Sequence, residues 1–183
     1  MRFGTGDGWN TGGTRRAERV GARGGRSSLV ASPAVAAPVR SVSRGRVIAA
    51  EPQPIFDVLA DPRKHPIIDG SDSVKRAIRG PARLSLGAHF GMAMRIGMPY
   101  VIRNTVMVFE EGRRIGWWHL GHNLWLYELF AVPSGTRVVE TFDWSKGRFG
   151  NIVEVTRFET RNAQAMERTL ERLDRLVVTG SAD

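Results

Sequence analysis

One uninterrupted amphipathic stretch near the C-terminus does most to restrict the fold. From Arg161 to Val178 there is no Gly or Pro, and Met166, Leu170, Leu173 and Val177 recur at helical spacing, with Ala163 and Leu176 widening the stripe. A helix of that span is about 27 Å long, and an apolar stripe that long needs a surface to cover it. The preceding hundred or so residues supply strands rather than helices. Ala88, Phe90, Met92, Met94 and Ile96 alternate with His89, Gly91, Ala93 and Arg95, the pattern of a half-buried strand. Tyr100–Phe109, Ile115–Leu120, Leu124–Val132 and Thr136–Trp144 follow, joined by the turn sequences Glu111-Gly112, Gly121-His122-Asn123 and Pro133-Ser134-Gly135. Short connections between consecutive strands imply an antiparallel meander. A long helix after such a sheet must lie on it, so the expected class is α+β.

Upstream, Arg40–Ala50 reads as a first strand, rich in Val and Ser. A short helix is expected next. Pro54 suits its first turn, Ile55, Val58 and Leu59 form its apolar face, and Asp61-Pro62 and His65-Pro66 end it. Residues 1–39 have a different texture: glycine and arginine in low-complexity runs, without a helical or strand period. They have too little contiguous apolar surface to offset the entropy of ordering, and are expected to form a disordered tail. The folded domain is expected over 40–178, with a short C-terminal tail over 179–183.

Composition removes several classes of function. The 183 residues include no cysteine, which excludes disulfides, thiolate metal sites and a cysteine nucleophile. No apolar run approaches the ~20 residues of a membrane-spanning helix. The net charge of +9 is uneven, +5 over residues 1–43 and +4 over 44–183, and raises nucleic acid as a partner. But 24 of the 27 basic residues are arginine, a compositional skew that is weaker evidence than a clustered basic face, and nucleic acid is not the expected partner. No phosphate loop, nucleophile elbow or pair of catalytic carboxylates is present. His119 and His122 lack a third ligand, so neither a metal nor another cofactor is expected, and the location expected is cytoplasmic.

The ordered series of segments resembles a known family. Ile48–Pro66 is similar to the first strand and helix of the START-like, SRPBCC or helix-grip superfamily. Gly87–Trp118, with Phe90-Gly-Met-Ala-Met94 and Arg113-Arg-Ile-Gly-Trp117, resembles its polyketide cyclase/dehydrase branch, as do Gly135–Val138, Thr141–Ser145 and Arg161–Leu170. The resemblance runs over residues 40–178. It implies a curved antiparallel sheet of about seven strands gripping the C-terminal helix around a hydrophobic cavity. One departure is that Lys146–Arg157, which helps form the cavity mouth in the family, is short and charged here.

Strand alternation nominates the lining. If Trp117 points inward, so do Ile115 and His119; Tyr127 brings Trp125 and Leu129; Val138 brings Glu140, Phe142 and Trp144; Tyr100 and Ile102 bring Asn104. With Met92, Met94 and the helix residues Met166 and Leu170, these make an apolar wall bearing a few polar groups, the composition of a small-molecule pocket. The expected ligand is a hydrophobic or aromatic molecule, lipid- or polyketide-like. An alternative is a cyclase or aromatase performing aldol cyclisation and dehydration, with His119 or Glu140 as the catalytic base and Tyr127 or Asn104 holding the enolate oxygen. A further alternative is nucleic-acid association through the basic tail.

Overall fold

The computed structural model describes residues 40–147 and 158–182, all within the unit spanning Ala37–Asp183. The tail expected over 1–39 and most of the charged 146–157 stretch therefore lie outside the described residues. Seven strands form one antiparallel sheet: β1 (Ser41–Ile48), β2 (Val74–Arg79), β3 (His89–Ile96), β4 (Met98–Glu110), β5 (Arg114–Trp118), β6 (Leu124–Val132) and β7 (Gly135–Asp143), in the order β1-β7-β6-β5-β4-β3-β2. From β2 to β7 each strand pairs with the next in sequence, and β1 closes the order by pairing with β7 from Ser41↔Asp143 to Ile48↔Thr136. Two helices, α1 (Pro52–Ala60) and α2 (His65–Ile68), connect β1 to β2 at opposite edges of the sheet. The long helix α3 (Phe158–Thr179) packs against β1, β7, α1 and α2. The fold is the helix grip.

Several local expectations are corrected. Strand β2 has charged residues at three of its six positions, which hides any apolar alternation. It is an edge strand whose register against β3 shifts twice, and charge and irregularity are how exposed edges avoid pairing with other chains. Helix α1 starts at Pro52, ahead of Pro54, and His65-Pro66 does not end it. Those two residues open α2 instead, because a proline without an N–H fits a first helical turn as readily as it stops a last one. Helix α3 begins at Phe158, three residues ahead of the stretch that starts at Arg161. It ends at Thr179, one residue past the expected limit, where Gly180 takes φ +79° and donates its N–H to the Leu176 carbonyl at 3.1 Å. Val177, expected to be buried, is only half-buried and packs on the core margin.

The rest of the α3 stripe is buried as its spacing requires: Met166, Leu170 and Leu173 are almost completely enclosed. Each such side chain contributes about 1.5–3 kcal/mol through removal from water. Position along the sheet is set by polar contacts on both sides of the helix. On the β1 side, Arg44 pairs with Glu167 and Arg46 with Asp174, each at 2.7 Å. On the α2 side, the Gly70 N–H donates to Thr169 Oγ1 at 2.9 Å, that hydroxyl donates to the Ala165 carbonyl at 3.0 Å, and Arg168 Nε donates to the Gly70 carbonyl at 2.7 Å. Gly70 is obligatory here, since a Cβ would stand 2.2 Å from the Ala165 carbonyl oxygen and 2.5 Å from the Thr169 nitrogen.

Candidate functional site

Between α3 and the concave face of the sheet lies a cavity of about 600 Å³. Its apolar wall follows the strand alternation: Phe90, Met92 and Met94 on β3, Tyr100 and Ile102 on β4, Trp117 on β5, Trp125 and Tyr127 on β6, and Phe142 on β7. Ala165 and Met166 close it from α3. The rings are packed on one another, Trp117 against Tyr127 at 5.8 Å and Trp125 against Phe142 at 4.8 Å between centroids. Leu170, nominated for this lining, does not reach it. One helical turn beyond Met166, it is enclosed in the core between helix and sheet.

Four polar side chains nominated from alternation also line the cavity, as two linked pairs. The Tyr127 hydroxyl donates to Glu140 Oε1 at 2.8 Å. Glu140 is 2% exposed, and its second oxygen, Oε2, has no hydrogen-bond partner among the described residues. Burial pushes this carboxyl up to about 8; the Tyr127 hydrogen bond works against the shift, and the charge of Asp69 adds to it. At neutral pH Glu140 is therefore mainly the neutral acid, and with Oε1 accepting from Tyr127, Oε2 is the oxygen left to bear the proton. The same burial, with the neighbouring carboxyl, raises the Tyr127 hydroxyl well above its ordinary value.

The second pair is His119 and Asn104. His119 Nδ1 lies 3.3 Å from Asn104 Oδ1, and Asn104 is 1% exposed. With the amide oxygen accepting, Nδ1 holds the imidazole proton and Nε2 is left as an acceptor, an assignment inferred from the hydrogen bond. Burial alone pulls His119 down to about 4, so the ring is neutral across the physiological range. The cavity thus presents, at neutral pH, an acid that can donate and an imidazole that can accept. Among the described residues no three His, Asp or Glu side chains are grouped to hold a metal ion.

Sequence reasoning missed part of the site. His65 lines the cavity, stacked on Trp117 at 4.9 Å with 19° between the planes and edge-on to Phe90. Its Nε2 sits 2.8 Å from the Leu59 carbonyl, and burial lowers its pKa, so it too is neutral. The His65-Pro66 dipeptide reads only as local punctuation; its inward position depends on the short α2 turn. Asp69, Arg161, Asn162, Arg168 and Thr169 also border the cavity. The available signal was the four- and three-residue spacing of 162, 165, 166 and 169, a second stripe on α3 beside the core stripe. Asp69 is already committed, accepting from Ser71 through Oδ1 and from the Val74 N–H through Oδ2 at 2.7 Å.

Comparison with known proteins agrees with this architecture. No family model matches the chain. The chain is 37% identical over 148 residues to the uncharacterized protein Rv0088 of Mycobacterium tuberculosis, an alignment covering 77% of this chain and 66% of that protein's length. Among solved structures, it is similar to an AHSA1-like protein from Aeromonas hydrophila, with TM-score 0.55 and 16% identity over 78% of this chain and 95% of that one. It is also similar to the Polyketide_cyc-like protein Cgl2372 from Corynebacterium glutamicum, with TM-score 0.51 and 18% identity over 75% of this chain and 90% of that one. The chain has the helix-grip fold that these solved structures share.

Proposed function

We propose that this protein binds a hydrophobic or aromatic small molecule in the cavity under α3, and that the ligand carries an oxygen function recognised at its polar end. The observation that supports this most is the neutral Glu140 with Oε2 unpartnered among the described residues, set in a cavity of about 600 Å³ that is otherwise mainly apolar. A buried donor without an acceptor costs roughly 1–3 kcal/mol, and a ligand carbonyl or hydroxyl placed against it recovers much of that. The volume suits a molecule of drug or metabolite size. Trp117 and Trp125 line the cavity, so occupancy should be read directly as quenching of tryptophan fluorescence.

A cyclase reading has one specific observation in its favour: His119 and Glu140, an acceptor and a donor, border the same cavity. In such a reaction His119 Nε2 would take the proton from the carbon between two carbonyls. Glu140 Oε2–H would hydrogen-bond the enolate oxygen, the enolate carbon would close the ring on a further carbonyl, and the alkoxide formed would take the proton back from His119 before its hydroxyl leaves as water. The Polyketide_cyc-like description of Cgl2372 is in the same direction. Against it stands the basicity of His119. An imidazole whose conjugate acid ionises at about 4 is a weak base, and proton transfer from carbon is driven best by a pKa near the working pH. Binding therefore leads.

Native mass spectrometry of protein purified from its own source tests both readings. A retained small molecule whose release restores tryptophan emission is the expected result. Its binding should weaken about tenfold in Glu140→Leu, which keeps the volume and removes the donor. Absence of retained mass, together with no quenching by long-chain or polycyclic probes, would overturn the binding reading. Turnover of a poly-β-ketone that disappears in His119→Ala with unchanged melting temperature would move the assignment to the cyclase.

A further inference from the structure

The apolar lining of the cavity does not stop at its mouth. Along β3 the inward residues Phe90, Met92 and Met94 are 1%, 2% and 5% exposed, and the next in the same alternation, Ile96, is 42% exposed. Along β4 the same face runs outward from Ile102 at 5% through Tyr100 to Met98 at 79%. Ile96 pairs with Met98 across Gly97, whose φ of +70° makes the turn, so the two stripes meet at one projecting hairpin tip. Ile96 and Tyr100 border the cavity itself. A surface continuous with a buried cavity is thus left apolar and in water.

Positive charge surrounds this tip. Arg95 is exposed on the hairpin beside Ile96, and its N–H is bonded to the Ser73 carbonyl, which brings the start of β2 and Lys75 alongside. Arg161 and Arg168 border the mouth from α3 and are exposed. Arg161 is close enough to Tyr100 for its charge to oppose the rise that burial imposes on that hydroxyl. In the adjoining loop Asp72 is paired with Arg172 at 2.8 Å, and Asp69, whose carboxylate accepts from Ser71 and Val74, leaves the four cations in excess. An apolar tip inside a cationic collar complements a surface that is anionic outside and hydrocarbon within. A second copy of this chain would bring like charges together, and an acidic protein would offer charge without requiring Met98 to leave water.

We propose that the β3–β4 tip docks on an anionic lipid bilayer, with Ile96 and Met98 entering the acyl region and Arg95, Lys75, Arg161 and Arg168 meeting the headgroups, so that the cavity mouth opens onto the membrane. Each cation near such a surface is drawn to the anionic headgroups, and the two apolar side chains add burial. This goes beyond ligand binding. Failure at vesicles would leave the mass-spectrometric result for the cavity unaffected.

The absence of cysteine makes the test site-specific. Met98→Cys, and separately Ser134→Cys in the turn between β6 and β7 at the opposite end of the sheet, are labelled with an environment-sensitive fluorophore in the full chain. Vesicles contain phosphatidylcholine and phosphatidylglycerol in equal parts, or phosphatidylcholine alone. The expected result is a blue shift at position 98 that brominated acyl chains quench, no such change at position 134, and little effect with neutral vesicles. Sedimented protein should fall about tenfold in Met98→Asp. Equal responses at the two positions would mean adsorption by the arginines of the tail and would overturn the proposal. So would an unresponsive label at 98, or a label there that reports self-association without lipid.

Discussion

Two polar clusters flank α3, and they differ in how fully they are bonded. At the seam with the α2 loop, the Gly70 N–H and carbonyl, the Thr169 hydroxyl and Arg168 Nε all find partners between 2.7 and 3.0 Å. Arg172 adds a bond to the Asp69 carbonyl. Under the cavity, Glu140 has one oxygen bonded and one unbonded among the described residues, and half-buried His119 is bonded through Nδ1 to Asn104. The seam is finished within the protein and holds the α2 loop to α3. The Glu140–Tyr127 pair is half finished, with Oε2 unbonded among the described residues. Since folding gains little from a half-satisfied buried group, the comparison separates residues that build the fold from the oxygen that the proposed ligand would engage.

The contrast is broken most severely from the structural side. Leu170→Ala, in the enclosed stripe of α3, is expected to lower unfolding free energy by about 2–5 kcal/mol in urea titrations. A change below about 0.5 kcal/mol would mean that the helix is not anchored there. Gly70→Ala should cost about 1–3 kcal/mol in the same titrations by forcing the α2 loop off the backbone of α3.

A subtler effect is expected at the cavity, and it depends on pH. Glu140 ionises near 8 in the folded protein and near its ordinary 4.5 when unfolded, so between these values the native state holds a proton that the unfolded chain has lost. Stability from this group is complete below about 4.5 and declines as pH rises towards and through 8. His119 acts oppositely: folded near 4 and unfolded near 6.5, it contributes stability above 6.5 that is lost as pH falls through 4. Melting temperature against pH should therefore form a dome. Glu140→Gln should flatten its alkaline limb and His119→Gln its acid limb. An alkaline limb unchanged in Glu140→Gln would show that the carboxyl is already ionised in the folded state.

The smallest effect belongs to the β1 side of the helix. Arg44 and Glu167 are both well exposed, and Arg44→Ala should change stability by less than about 1 kcal/mol, with even that removed by salt.

The fold was legible because its signals are local and periodic. The stripe at Met166, Leu170 and Leu173 has helical period whatever surrounds it, and the alternation through Phe90, Met92 and Met94 assigns faces without reference to any partner. The same alternation turned Trp117, Tyr127 and Glu140 to one side. β2 was not legible, because an edge strand gains from charges that erase the apolar pattern.

By itself the sequence determined the α+β class, the antiparallel meander from β3 to β7, the inward face of most of those strands, and the long helix. Each of those follows from spacing along the chain, which covalent geometry converts directly into faces. The tertiary structure alone decided that Leu170 fills core while Met166 borders a cavity, that His65 stacks on Trp117, that Glu140 is held neutral beside Tyr127, and that Ile96 and Met98 end in water. Burial, a free oxygen and a shifted proton depend on how far a helix stands from a sheet, and residues far apart in sequence set that distance only when the chain has closed on itself.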